Sequence, residues 1–267
     1  MLGLGEGDVT RLTWEDAGEA LDRVDYVVLP LGSIEQHSTH LPVSVDSLRA
    51  ENLTRELVEA APDHDMELLR LPTLPYGYSE HHSRFPGTVT LDADTYQRAL
   101  VQIGESLARH DAARLCMVNF HGGNRQPMKL AADRIQRDHG LRTHVVGWTD
   151  FARDRLEEEF GDEWGHAGEH ETSAIKHYHP DLVHEDRAEP QTNRDERWRT
   201  RQYAFFDELT AQGGLSDPTA ADAEFFAEVV EETTADILGA LAAERNTSLP
   251  DPDGSVRHDG PAISADE

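Results

Sequence analysis

The pattern of apolar and polar positions along the chain predicts strands and helices in turn. Asp25 to Leu31 is a β-branched, apolar run that is typical of a buried strand. Leu48, Leu53 and Leu57 then recur at helical spacing and predict a helix over 46–61, which ends before Pro62. A buried strand followed by an amphipathic helix is the repeating unit of α/β proteins.

The other predicted elements keep this order. Thr13 with Asp16 three residues later resembles an N-cap and predicts a helix to Leu21. Further strands are predicted at 66–71, 115–119 and 143–147, and further helices within 90–110, at 127–139 ending at Gly140, and at 172–178. The alternation favours an α/β fold, a three-layer α/β/α sandwich with a largely parallel central sheet.

We expect residues 1–245 to form a single domain. Residues 246–267 are rich in Pro, Gly and charged residues, which predicts a disordered acidic tail. The highly charged segment 187–201 is either a solvated loop or an arm that contacts another subunit.

The charge balance is extreme, with 52 Asp and Glu against 24 Lys and Arg and a formal net charge of -28. Lys129 and Lys176 are the only lysines in the sequence. Nucleic acid and anionic membranes are excluded as expected partners because phosphate binding requires the opposite charge. The composition is typical of adaptation to a high-salt cytoplasm such as that of haloarchaea, and an ordinary acidic enzyme is the alternative.

Salt adaptation predicts that the protein loses stability as salt is removed. Carboxylates that repel one another are screened when the Debye length falls to roughly 3 Å at 1 M salt. We therefore expect the thermal unfolding temperature to rise steeply between low and molar KCl, as measured by circular dichroism. Full stability at low salt would contradict the halophilic interpretation.

The single cysteine, Cys116, lies in the apolar run RLCMVNF and is expected to be a buried hydrophobic residue. The first residues contain neither a basic region nor a long apolar core, so we expect no signal peptide. No window approaches the roughly 20 apolar residues of a membrane span. These features predict a soluble, cytoplasmic protein.

The segment from Leu29 to Asp46, LPLGSIEQHSTHLPVSVD, contains the strongest chemical signal. It places Glu35, His37, His40 and Asp46 directly after a predicted strand. Imidazole and carboxylate groups suit Zn, Fe or Mn, and a carboxylate can bridge two ions. The alternative is a polar loop whose histidines bond only to backbone.

Two other segments offer similar groups. His121 follows the predicted strand at 115–119, at the strand end where open α/β sheets bind ligands, and Gly122 and Gly123 allow close backbone approach. In GHAGEHETS, small residues flank His166, and Glu171 opens a predicted helix. A tight turn and a helix-dipole effect are the structural alternatives for these two segments.

Taken together, these segments resemble the creatininase (creatinine amidohydrolase) family. The resemblance covers residues 10 to 185, and four separate motifs occur in the family's order. The matching residues are Glu35-Gln36-His37, His40-Leu41-Pro42, Asp46, Phe85-Pro86-Gly87-Thr88, Asn119, His121-Gly122-Gly123-Asn124, His166-Ala167-Gly168 and Glu171-Thr172-Ser173.

The resemblance implies an α/β fold, a binuclear centre with two divalent metal ions per subunit (Zn, Mn or Fe), and a homo-oligomer, often a hexamer. By motif position the metal ligands would be Glu35, His37, Asp46 and His121, with Asp46 bridging the ions. His40 would have a positioning role.

Three positions depart from the family pattern. Creatinine-hydrolysing members have a glutamate where this chain has Gly123, and we expect Glu171, or failing that Glu169, to supply the missing carboxylate. Ser38 and Phe120 stand where glycine is common.

The implied reaction is hydrolysis of a cyclic or formyl amide by a metal-bound hydroxide, with His166 as the proton shuttle. A formamidopyrimidine-nucleotide deformylase is the specific alternative, with Arg84 and Arg125 as candidate contacts for its phosphate. The family also includes a peptidase of redox-peptide maturation. A non-catalytic metal-binding scaffold and a phosphoesterase stay open as other classes.

Overall fold

Four parallel strands form the central sheet of the computed structural model, which describes residues 7–191 and 204–246. The spatial order is β2-β1-β3-β4. The strands are β1 (Tyr26–Leu31), β2 (Leu68–Arg70), β3 (Arg114–Asn119) and β4 (Arg142–Gly147). The sequence prediction of these four strands and of a parallel α/β fold is confirmed.

Helices cover both faces of the sheet. They are α1 (Trp14–Leu21), α2 (Val45–Ala60), α3 (Ala93–Ala108), α4 (Arg125–His139), α5 (Trp148–Phe160), α6 (Glu169–Tyr178), α7 (Phe206–Leu209) and α8 (Ala223–Asn246). Apolar residues of α1, α3 and α4 share one core with the sheet, whereas those of α2, α5, α6 and α8 share another.

The alternation of side chains along the strands explains the two cores. In β1, Tyr26 and Val28 pack on the α8 face, while Val27 and Leu29 pack on the α3 face. Successive strand residues point to opposite sides of a sheet, so a strand covered on both faces is apolar throughout. All six residues of β1 are buried, as a central strand of a three-layer sandwich requires.

Local signals set several helix ends. Thr13 and Asp16 form a reciprocal capping box at the start of α1, which stabilises such a helix by about 1 kcal/mol. Gly140 ends α4 in the left-handed conformation with φ +70°. The prediction for α6 was wrong at its start: the helix begins at Glu169, not Thr172, so Glu171 lies inside its first turn.

The predictions for Cys116, for membrane spans, for the charged segment and for the tail are taken in turn. Cys116 is fully buried, and this burial raises the pKa of its thiol to about 12, which suits a core residue. Within residues 7–191 and 204–246, no helix is both long and apolar enough to span a bilayer. Residues 192–201 of the charged segment and residues 247–267 of the tail lie outside the described part of the chain.

Parallel topology brings the chemical segments together. β1 and β3 are neighbours, with Leu31 opposite Asn119, so the loops after both strands leave the same edge of the sheet. Glu35 and His37 lie on the first loop and His121 on the second. The start of α2 carries Asp46 at the same edge.

Candidate metal centre

Glu35, Asp46 and His121 form one buried group at this edge. The Nδ1 atom of His121 lies 3.2 Å from Glu35 Oε2 and 3.2 Å from Asp46 Oδ2. The three residues are each at most 4% exposed, and their facing atoms are close enough to bind one ion together. Two carboxylates and an imidazole are ligands that Zn, Mn and Fe accept.

His37, His166 and Glu171 form a second group beside the first. Glu171 Oε2 lies 3.5 Å from His37 Nε2 and 3.9 Å from His166 Nδ1. Asp46 connects the two groups: its Oδ1 lies 3.6 Å from His37 Nε2, while its Oδ2 faces His121. One carboxylate thus presents a different oxygen to each group.

A third group contains a histidine to which sequence reasoning gave no role. His82 Nε2 lies 3.4 Å from Glu35 Oε1, and His166 Nδ1 lies 3.6 Å from the same oxygen. His82 precedes the motif Phe85-Pro86-Gly87-Thr88, in which the Thr88 hydroxyl accepts a hydrogen bond from the Gln36 backbone N–H. That motif therefore fixes the loop that carries Glu35 and His37.

Backbone carbonyls orient the imidazoles. Nδ1 of His37 lies 3.1 Å from the Glu35 carbonyl, and Nε2 of His166 lies 2.8 Å from the Gln36 carbonyl. Nε2 of His121 lies 3.0 Å from the Tyr78 carbonyl. If each of these nitrogens carries the proton and donates it, the other ring nitrogen faces the carboxylates as an acceptor. This is the arrangement that metal-binding histidines adopt.

The carboxylates and imidazoles shift one another's pKa. Burial opposes charge on His37, but the Glu171 and Asp46 carboxylates outweigh it and raise its pKa to about 9. Burial would raise the pKa of Glu171, yet His37 and other cationic neighbours lower it to about 2. Burial lowers the pKa of His166 to about 3. Glu171 is therefore held in the ionised form that binds cations.

Several of the facing atoms have no hydrogen bond. Within the described residues, Glu35 Oε2, His37 Nε2 and Asp46 Oδ2 are buried and have no hydrogen-bond partner. Leaving a buried polar atom unsatisfied costs about 1–3 kcal/mol, and more for a charged group. Divalent ions would satisfy all three atoms, so the residues present fit a metal centre.

Two other candidates lie outside these groups. His40 is buried, and its Nε2 lies 2.9 Å from the Thr172 hydroxyl, beside Glu171. Glu169 accepts hydrogen bonds from the Asp217 N–H and the Ser216 hydroxyl. Of the two glutamates considered for the missing ligand, Glu171 is the one that reaches the centre.

The departures from the family pattern have local explanations. A Cβ atom at Gly123 would lie 2.1 Å from the Tyr78 carbonyl oxygen and 2.5 Å from His121 Nε2, so this backbone has no room for a glutamate there. Ser38 adopts φ +59°, a left-handed conformation that glycine adopts more readily. Its N–H donates to Gln36 Oε1.

A cavity of about 710 Å³ opens onto the three groups. Its walls include the aromatic side chains Phe120, Trp164 and Phe206. The two arginines considered for phosphate binding are already engaged. Arg125 makes two hydrogen bonds to Asp150, and Arg84 pairs with Asp207 and Glu208.

Sequence reasoning also missed Arg49, which lies one turn after Asp46 in α2 and is 1% exposed. Its Nη1 donates to Glu171 Oε1 over 2.7 Å, and the Ala167 N–H donates to Glu171 Oε2 over 2.7 Å. These bonds fix Glu171. On the sequence, Arg49 is one polar position of an amphipathic helix, with nothing to mark it as buried.

Comparisons with known proteins agree with this geometry. The profile of the family described as Creatininase, creatinine amidohydrolase, matches residues 10–241. The chain is 34% identical over 234 residues to a mycofactocin precursor peptide peptidase of Mycolicibacterium smegmatis, covering 85% of this chain and 89% of that protein. It is 30% identical over 198 residues to the creatinine amidohydrolase of Pseudomonas putida, covering 67% of this chain and 74% of that protein.

A solved structure of a mutant creatininase, described as the Zn-Zn type, superposes with a TM-score of 0.79 at 26% identity. The superposition covers 90% of this chain and 99% of that one. The family profile, the two relatives and the superposed fold all point to one family. The chain belongs to the creatininase family of metal-dependent amidohydrolases.

Proposed function

We propose that this protein is a binuclear amidohydrolase that hydrolyses the C–N bond of a cyclic or formyl amide. The observation that carries the proposal is the position of Asp46, whose two oxygens face His37 and His121 in separate ligand groups. A site for a single ion would not need one carboxylate whose two oxygens face two separate ligand groups.

The ligands divide between two ions. Glu35, Asp46 and His121 would hold one ion. His37 would hold the other with Asp46 and Glu171, whose oxygens lie 3.6 and 3.5 Å from its Nε2. Held by these residues, two divalent ions would supply a bound water with a pKa lowered towards about 7 and would polarise a substrate carbonyl. Zn, Mn and Fe all suit these ligands, and solved creatininases described as the Zn-Zn type and as Mn support zinc or manganese.

In this proposal His166 moves the proton. With the proton on Nε2, where the ring meets the Gln36 carbonyl, Nδ1 is free to accept a proton beside Glu35 and Glu171. The same nitrogen would return the proton to the departing amine. The ring packs against His82 and Phe206 at centroid distances of 4.5 and 4.9 Å, and this packing restrains it.

Replacing His166 with alanine is expected to lower kcat by about a hundredfold or more, the usual contribution of a general acid-base group. Metal content should stay at two ions per subunit, because the two proposed ligand sets do not include His166. Elemental analysis and steady-state kinetics measure the two quantities. Loss of both activity and metal would make His166 a ligand, and wild-type turnover would end its proposed role.

The cavity favours a substrate larger than one small ring. A volume of about 710 Å³ lies within the range of about 300–1,000 Å³ that holds drug-sized molecules, well above what creatinine alone requires. Both a formamidopyrimidine nucleotide and a peptide amide meet this requirement. The peptide is the second candidate, since the mycobacterial relative is a peptidase.

The decisive experiment compares three substrates in molar KCl with added Zn, Mn or Fe: creatinine, a formamidopyrimidine nucleotide and a peptide amide. Turnover of creatinine or of the formamidopyrimidine nucleotide, lost on chelation and restored by metal, supports the proposal, whereas turnover of the peptide amide alone would support the second candidate. Two bound ions with no amide turnover would support the scaffold alternative. Turnover of a phosphate ester instead would support the phosphoesterase.

A further inference from the structure

Arg49 has more donors than its protein partners use. The guanidinium lies beside the rings of Phe120 and Trp148, with Cζ 5.8 and 5.7 Å from the two ring centroids. Nη1 donates to Glu171, as described above. Within the parts of the chain that the structure describes, Nε and Nη2 have no hydrogen-bond partner, although the side chain is 1% exposed.

These two nitrogens lie on the same edge of the guanidinium. That edge presents two parallel N–H groups, the fork that binds a carboxylate or a phosphate with two hydrogen bonds. A role in positioning Glu171 accounts for Nη1 alone. It leaves the Nε and Nη2 edge buried and unsatisfied, which is costly for a charged group.

Two further unsatisfied groups belong to residues near Glu171. His170 Nε2 is 3.7 Å from the Glu171 oxygen that Arg49 contacts, and Trp164 packs edge-on against His170 at 4.8 Å between centroids. His170 Nδ1 and Trp164 Nε1 are also buried and without a hydrogen-bond partner among the described residues. An indole nitrogen can only donate, and a neutral imidazole nitrogen donates when it carries the proton.

Arg49, His170 and Trp164 all line the cavity that opens onto the metal centre. The acidic residues of its lining, Glu35, Asp46 and Glu171, are all proposed metal ligands. The other arginine of the lining, Arg125, is already paired with Asp150. The unused donors of Arg49, His170 and Trp164 therefore all belong to residues of one cavity wall.

We infer that Arg49, His170 and Trp164 form a subsite for an oxyanionic group, a carboxylate or a phosphate, on the amide substrate. The inference deepens the proposed function, on which it rests, by specifying that the amide carries a negative charge near the bond that is cleaved. Because its test measures binding and not turnover, either proposal can fail while the other stands.

The test uses three ligands of similar size: phenylacetate, phenylphosphonate and the neutral phenylacetamide. Their affinities for the metal-loaded protein in KCl are measured by calorimetry and by the fluorescence of the cavity tryptophan. We expect at least one anion to bind about tenfold more tightly than the amide, the effect of one charge-assisted hydrogen bond pair. The anion with the larger preference indicates whether the natural group is a carboxylate or a phosphate.

The variants separate the subsite from other causes. Arg49→Lys keeps the charge beside Glu171 but removes the fork, and should lose most of the anion preference with two ions still bound. Trp164→Phe keeps an aromatic ring but removes the indole N–H. It should reduce the anion preference without affecting Glu171. Arg125→Met, on the same cavity wall, should leave the preference unchanged.

Three results would overturn the inference. Equal affinity for anion and amide in the wild type would show that there is no anion subsite. A preference that persists in Arg49→Lys would mean that the metals alone hold the anion. If Arg49→Lys loses metal and binds the two anions and the amide equally more weakly, the role of Arg49 is only to position Glu171. If Arg49→Lys does not fold, the test rests on the wild-type comparison of anion with amide and on Trp164→Phe. An unchanged anion preference in Trp164→Phe then counts against the inference.

Discussion

Replacing Asp46 with asparagine is expected to lower kcat/KM by about a hundredfold or more and to reduce metal content below two ions per subunit. Even residues that only contact a metal ligand typically contribute 10–100-fold to metal affinity or activity. Asp46 faces both ligand groups, so a neutral side chain weakens both at once. With asparagine at position 46, His37 and His121 each also face one carboxylate fewer.

Metal content is measured by elemental analysis after dialysis, and activity on whichever amide is turned over. Asp150→Asn is the matched control, because Asp150 is exposed and pairs with Arg125 at the cavity rim. Circular dichroism establishes that both variants fold. An Asp46→Asn protein with two ions and normal activity would remove the basis for the binuclear proposal.

The elements of the fold could be predicted because their signals are local. The apolar run of β1 and the helical spacing of Leu48, Leu53 and Leu57 each lie within one segment. A parallel sheet then places the loops after its strands at one edge, so the proximity of Glu35 and His121 follows from topology. Four of the five predicted ligands, Glu35, His37, Asp46 and His121, meet for this reason.

The residues that sequence reasoning missed depend on contacts between distant segments. His82 lies in a loop without periodicity, and its ring packs on Phe206 at 4.0 Å between centroids, more than a hundred positions along the chain. Arg49 is buried where α6 and the Phe120 and Trp148 rings pack against it. Neither packing partner is visible from a local pattern.

The start of α6 was misplaced for a related reason. Gly168 precedes the helix and makes no side-chain cap, so the sequence offers no N-cap signal there. The earlier start matters chemically because it places Glu171 in the first turn, where the Ala167 N–H can bond to its carboxylate. The helix boundary thus decides which glutamate faces the metal centre.

Restoring a glutamate at position 123 should damage the centre instead of completing it. In Gly123→Glu, the new Cβ would meet the Tyr78 carbonyl oxygen at 2.1 Å, and a backbone atom cannot move aside as a flexible side chain can. Overpacking of this kind typically costs about 1–3 kcal/mol. The Tyr78 carbonyl also orients His121, so its displacement should weaken metal binding by Glu35, Asp46 and His121.

Thermal unfolding in molar KCl and metal content measure both effects. Gly122→Glu is the control, since a Cβ at the neighbouring Gly122 meets no atom within 4 Å and should cost little. Tighter metal binding in Gly123→Glu, with stability retained, would show that the centre lacks a carboxylate and that Glu171 does not supply it. Loss of stability and metal in Gly123→Glu alone would instead mean that this backbone has adapted to glycine at 123, with its second carboxylate supplied from α6.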